Sequence, residues 1–155
     1  MSRLFYDTTR GAVSQAWGGW VDSMTDWEWF MTGTFRDPTD KRFPNWTRVG
    51  WESARRGLLT WHNALTMNLD YTNPLWVACG EAQARGTPHW HMLVANVEGE
   101  RRMDWVDWWF EHYGIARVVP YDRDLGARFY LGKYVSKSMA QIEFSPGLYA
   151  QLRRT

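Results

Sequence analysis

The stretch Gly86-Thr87-Pro88-His89-Trp90-His91-Met92-Leu93-Val94 decides how the chain is read, because an apolar run there carries two imidazoles at alternate positions. The period-2 geometry of a β-strand aims both rings at one face and sends Trp90 and Met92 to the other, so ligand-type and core-type residues alternate. Upstream, Leu75-Trp76-Val77-Ala78-Cys79-Gly80 is a second apolar stretch leading into Glu81, and the intervening Ala84-Arg85-Gly86-Thr87-Pro88 has hairpin-loop composition. Closing that hairpin sets Glu81 beside His89 and His91. Two imidazoles and a carboxylate suit Mn²⁺, Mg²⁺ or a related divalent ion. Gln83, two residues beyond Glu81, faces the same side and is able to assist or replace it. A histidine pair on a solvent face has the same spacing, and the carboxylate across the hairpin is what favours the metal reading.

Working outward, Tyr130-Leu131-Gly132-Lys133-Tyr134-Val135-Ser136-Lys137 reads as helix. Helical spacing places Tyr130, Tyr134 and Lys137 on one stripe and assigns Leu125, Phe129, Gly132 and Met139 to the core-facing one. A phenol of pKa near 10 is only about one part in a thousand ionised at neutral pH, so a nucleophilic tyrosine needs an activated electrophile or a nearby cation. A metal can polarise a phosphate oxygen, and Lys133 or Lys137 can stabilise phenolate or phosphate oxygens. Metal and tyrosine together point to phosphodiester chemistry. Half-buried packing tyrosines at the same spacing are the alternative.

The remaining elements follow from periodicity. Val13, Ala16, Trp17, Trp20, Val21 and Met24 predict a helix over 11–24, weakened by Gly18 and Gly19. Trp27 to Phe35 predicts a strand closed by Arg36-Asp37-Pro38. Trp51, Ala54, Leu58, Trp61, Leu65 and Leu69 mark a second helix, followed by the Leu75–Gln83 and His89–Val97 hairpin. A helix from Met103 to Tyr113, a strand from Ile115 to Val119 and a helix from Asp124 to Ala140 come next. Ile142-Glu143-Phe144 is a candidate last strand before Ser145-Pro146-Gly147. The order predicts an α+β domain with helices packed on a mainly antiparallel sheet.

Composition narrows the class. A chain of 155 residues fits one domain, residues 1–155, large enough to bury roughly two thirds of its unfolded surface. The balance of 18 basic against 17 acidic residues, net +1, excludes bulk electrostatic coating of duplex nucleic acid, so any nucleic-acid contact is local. No window has signal-peptide or membrane-span character, which predicts an intracellular protein without a membrane partner. The single cysteine, Cys79, excludes an intramolecular disulfide and a multi-cysteine zinc site. Twelve tryptophans are spread along the chain, and each is either core or a platform for stacked bases. His62 and His112 have no partner at ligand spacing and read as helix-packing or surface residues.

Three segments, in order, resemble the motifs of the HUH endonucleases, specifically the replication initiators of rolling-circle plasmids and of small single-stranded DNA viruses and phages. Phe30-Met31-Thr32-Gly33-Thr34-Phe35 is similar to the first-strand motif, Pro88-His89-Trp90-His91 to the histidine–hydrophobic–histidine signature, and Tyr130-x-x-Lys133-Tyr134-x-x-Lys137 to the nucleophile helix. The resemblance spans Trp27 to Ser138. It implies a five-stranded antiparallel sheet of the ferredoxin-like palm type, with the histidines on a central strand. It implies site-specific nicking of single-stranded origin DNA through a 5′-phosphotyrosine, with a divalent metal (Mn²⁺ or Mg²⁺) as cofactor and a free 3′ hydroxyl left for a polymerase. The doubled tyrosine resembles the two-tyrosine phage initiators. Tyr134-x-x-Lys137 is the better match to the shorter Tyr-x-x-Lys form, leaving Tyr130 as a second nucleophile or a positioning residue. Trp90 departs from the usual aliphatic residue. No P-loop follows, so no helicase domain is expected here: either a host helicase unwinds the DNA or the sequence is a piece of a longer protein. The resemblance also implies a viral or plasmid element in a bacterial or archaeal cytoplasm.

For a single strand, local basic residues are expected along the phosphates. Arg36, Lys41, Arg42, Arg85, Arg123 and Arg128 are the candidates. Two other classes keep the same motifs in play: a single-domain HUH tyrosine transposase, and a tryptophan-rich single-strand-binding module whose histidine cluster is inert.

Overall fold

A computed structural model describes residues 15–39, 41–42, 48–82, 86–135 and 141–154. Gln83, Arg85 and Lys137, together with residues 11–14 of the expected first helix and Met139, lie outside the described residues. The elements are α1 (described over 15–24), β1 (Trp29–Phe35), α2 (Trp51–Asn68), β2 (Leu75–Ala82), β3 (Pro88–Ala95), α3 (Arg102–His112), β4 (Gly114–Pro120), α4 (Gly126–Val135), β5 (Ile142–Phe144) and α5 (Pro146–Arg153). Five antiparallel strands form one sheet in the order β4-β1-β3-β2-β5, and helices cover it, so the expected α+β architecture with the histidines on the central strand is observed.

Alternation along the strands divides the core in two. On one face Trp29, Met31 and Phe35 of β1, Trp76 and Ala78 of β2, and Trp90, Met92 and Val94 of β3 pack against Ala54, Leu58, Trp61 and Leu65 of α2 and Trp105 and Trp109 of α3. Six of the twelve tryptophans are thereby accounted for as core. At 150–250 Å² each and ~25 cal/mol per Å², a buried tryptophan contributes roughly 4–6 kcal/mol of transfer free energy as an upper figure. Several indole N–H groups are satisfied inside: Trp90 donates to the Ala54 carbonyl at 3.0 Å, Trp109 to that of Thr34 at 3.0 Å, and Trp76 to His62 Nδ1 at 2.9 Å. His62 therefore packs its helix, in keeping with its lack of a partner at ligand spacing.

On the opposite face Val77 and Cys79 of β2 and Leu93 and Ala95 of β3 meet Val21 of α1, Ala127, Leu131 and Tyr134 of α4, and Leu148 of α5. Cys79 is buried and its thiol is pushed up to about 12 by loss of solvent, in keeping with a small core residue. The orientation of α4 corrects the stripe expected from sequence. Leu125 and Phe129 are exposed, and the row Ala127, Leu131, Tyr134 turns inward instead. These residues sit at i, i+4 and i+7, so one face of the helix meets the sheet and Tyr134 belongs to it.

The chain after β5 forms α5, an element beyond the last one expected from the sequence. Ser145 caps it, its hydroxyl accepting from the Leu148 N–H at 3.4 Å and from the Trp76 N–H at 3.1 Å, and Pro146 occupies the first turn. Among the described residues no helix is long and apolar enough to cross a membrane.

Candidate active site

The candidate residues meet on the face covered by α4. In the sheet register Thr32 of β1 lies opposite His91 of β3, which lies opposite Cys79 of β2; one step along, Thr34, His89 and Glu81 form the next row. Side chains directly opposite one another share a face. The hairpin therefore places the two histidines and Glu81 together as its spacing predicts.

Each ring is held from β1. Thr34 Oγ1 lies 3.3 Å from His89 Nδ1, and Thr32 Oγ1 lies 3.4 Å from His91 Nδ1. A hydroxyl both donates and accepts, so it holds its ring with either nitrogen protonated. His91 Nε2 lies 3.0 Å from Glu81 Oε2. An ionised carboxylate only accepts, so in this arrangement Nε2 donates and Nδ1 accepts from Thr32. His89 Nε2 is buried and has no hydrogen-bond partner among the described residues. The two rings lie 6.1 Å apart and near parallel. Among the described residues no group of three or more His, Cys, Asp and Glu side chains is arranged to hold a metal ion, and Glu81 is drawn onto His91.

Electrostatics favours neutral imidazoles. Burial pushes His91 down to about 4, opposed by the adjacent Glu81 carboxylate, and lowers His89 in the same sense. Neutral imidazole is the form that ligates metals.

Tyr134 closes the site from α4. Its ring stacks on His91 with centroids 4.0 Å apart and planes 9° apart. The Lys133 ammonium lies 4.8 Å from that ring and hydrogen-bonds the phenol. Burial raises the phenol above its ordinary value, while Lys133 pulls it back; the same bond raises the lysine. Tyr130 is placed differently. Its ring packs on Phe30 at 4.8 Å and Tyr121 at 5.1 Å, and its hydroxyl accepts from the Asp122 N–H at 2.9 Å. The i, i+4 pair thus does not present both hydroxyls to the histidines.

Of the basic candidates, Arg36 donates to the Phe110 carbonyl and packs over its ring, and Arg123 pairs with Asp26. Arg128 is exposed, and its Cβ stands 2.7 Å from where a side chain on Gly18 of α1 would begin. Lys41 and Arg42 are exposed beyond β1.

Thr32 and Thr34 carry a role that sequence reasoning missed. Their signal is the alternation Thr-Gly-Thr: the threonines face the imidazoles, and Gly33 faces α3, where a Cβ would stand 2.7 Å from the Trp109 ring. Asp37 escaped that reasoning as well. It accepts from the Thr39 N–H at 2.8 Å, from the Thr39 hydroxyl at 2.6 Å and from the Thr87 hydroxyl, so the end of β1 is tied to the start of β3 beside His89. Those hydroxyls hold its carboxyl well below the usual range. A composition-neutral Asp-Pro-Thr turn carries the signal, as an aspartate that bonds the backbone two residues on.

In comparisons with known proteins, the family model described as Replication-associated protein ORF2 matches residues 28–139, which run from the edge of β1 past the end of α4 and hold every residue of the cluster. No curated protein and no solved structure matches the chain.

Proposed function

The chain belongs to the Replication-associated protein ORF2 family, and from that premise we propose that it is an HUH-type initiator that nicks single-stranded DNA at a replication origin by transesterification to Tyr134. A part in replication and contact with DNA come with the family; the chemistry is our reading of the site. The observation that carries it is the stack of Tyr134 on His91 beside Glu81 and His89. In the proposed step the Tyr134 hydroxyl gives up its proton as its oxygen bonds to phosphorus, the bond to the 3′ oxygen breaks, and that oxygen takes up a proton, so none is gained or lost overall. The product keeps one phosphodiester-type bond for another, so the strand can later be rejoined.

His89, His91 and Glu81 would hold the divalent ion, Mn²⁺ or Mg²⁺. They fit in kind: two neutral imidazoles, one of which has a buried nitrogen with no other partner, and one carboxylate. Bound there, the ion supplies polarisation of a non-bridging phosphate oxygen. Thr32 and Thr34 orient the rings, as outer partners of metal-binding histidines do. Lys133 holds the phenol and offsets the rise that burial imposes on it. Tyr130, tied to Phe30 and the Asp122 backbone, acts as a positioning residue, since Phe30 itself lies against His91.

A random-sequence pool of single-stranded oligonucleotides incubated with Mn²⁺ and resolved on a denaturing gel tests the reading. The unaltered chain should form a covalent adduct that EDTA prevents. Tyr134→Phe should reduce it by roughly 10³-fold or more, as loss of a nucleophile does, while Tyr130→Phe should retain it. An adduct that survives in Tyr134→Phe and vanishes in Tyr130→Phe would reassign the nucleophile, and the absence of any adduct would remove the nickase reading.

A further inference from the structure

The face that carries the site is only partly covered. α4 packs over β2 and β3, and Tyr130 covers Phe30, whereas Ile115 and Arg117 on the edge strand β4 are exposed. Arg117 lies opposite Thr32, and Thr32 opposite His91, so these residues form one row across the sheet. The buried neighbours Ala116 and Val118 belong to the tryptophan side, and alternation therefore sends the guanidinium out on the face of the histidines. Two strand spacings, roughly 10 Å, separate Arg117 from His91 along the row. Among the described residues Arg117 makes no hydrogen bond and no ion pair, whereas Arg36, Arg102 and Arg123 are engaged by the Phe110 carbonyl, the Val118 carbonyl and Asp26.

Resting on the reading of this face as a single-strand site, we infer that Arg117 clamps a backbone phosphate next to the one attacked, so that the strand crosses the sheet from His91 over Thr32 to β4. The planar fork of a guanidinium matches phosphate oxygens. Arg117 adds to Lys133 a second positive charge on this face, in line with His91 along the row.

A phosphate contact is blind to sequence, so fluorescein-labelled oligothymidylate is a sufficient probe. Its binding is followed by anisotropy across a salt series with EDTA present, where no cleavage is required. Arg117→Ala should weaken binding roughly tenfold, as loss of one charged hydrogen-bonded contact does. It should also reduce the slope of log K against log salt by about 0.7, the value for one phosphate on a single strand. Arg117→Lys should keep the slope, and Arg153→Ala on α5 should change neither quantity. An unaltered slope in Arg117→Ala, an equal loss in Arg153→Ala, or no binding by the unaltered chain would overturn the inference. The nickase reading fails separately: an Arg117-dependent slope in a chain that never forms the adduct would sink that reading and leave the phosphate contact standing.

Discussion

His91 is the most constrained side chain of the site, with Thr32 on one nitrogen, Glu81 on the other, and Tyr134 on its ring. Burial holds it at about 4 in the folded chain, against about 6.5 unfolded. Between those values the unfolded chain binds more protons, so stability rises with pH through the window, is complete above about 6.5, and declines as pH falls toward 4. His62 and His89, also lowered by burial, act in the same direction. Urea unfolding at pH 7.5 and pH 5, with chelator present, should show the loss, and His91→Gln should flatten it. An equally steep pH dependence in the variant would refute the assignment. At this scale the histidines and Glu81 are legible in the sequence because period 2 fixes a face. The choice between Tyr130 and Tyr134 is not. Four residues of helix shift a side chain by about 6 Å along the axis, enough to set one phenol over His91 and the other over Phe30, and a stripe drawn from spacing carries no record of that shift.

At the level of elements, β1 serves both halves of the molecule. Thr32 and Thr34 orient the imidazoles on one side, while Gly33 lets α3 approach on the other, where the Trp109 indole also donates to the Thr34 carbonyl. A methyl group at Gly33 would meet Trp109 at 2.7 Å, so Gly33→Ala should destabilise the fold by about 1–3 kcal/mol, the usual cost of overpacking a core. Urea midpoints measure it, and an unchanged midpoint would mean that α3 retracts freely. The strands are readable from sequence because alternation is a local property. The facing of α4 is not, since Phe129 and Leu131 are both apolar and only the sheet beneath selects between them. The helix after Ser145 is hidden for a different reason. Ser-Pro-Gly marks a turn and a helix cap equally well, and the serine hydroxyl that caps the helix also accepts the N–H of Trp76, sixty-nine residues away.

Over the whole molecule the sheet is a partition, with the tryptophan core on one side and the site with α1, α4 and α5 on the other. The site side is braced from α1. The Asp22 carboxylate accepts the Ala127 N–H, at 3.1 Å to one oxygen and 3.3 Å to the other, and it also accepts the Tyr121 hydroxyl. It thereby satisfies a donor at the start of the helix that carries Tyr134, in the manner of a cap supplied by another element. Asp22→Ala should cost about 1 kcal/mol. Because Asp22 and Gly33 share no partners across the partition, the double variant with Gly33→Ala should lose the sum of the two single losses to within about 0.5 kcal/mol. Adduct formation divides the pair further. Per folded molecule it should fall in Asp22→Ala, where the Tyr134 helix loses its brace, by more than in Gly33→Ala, whose strain lies behind the sheet. Urea unfolding of the four chains gives the coupling, and gel assays at matched folded fraction give the rates. Strong non-additivity, or an equal fall in both single variants, would show that the two halves move as one body and that the sheet transmits strain from one face to the other.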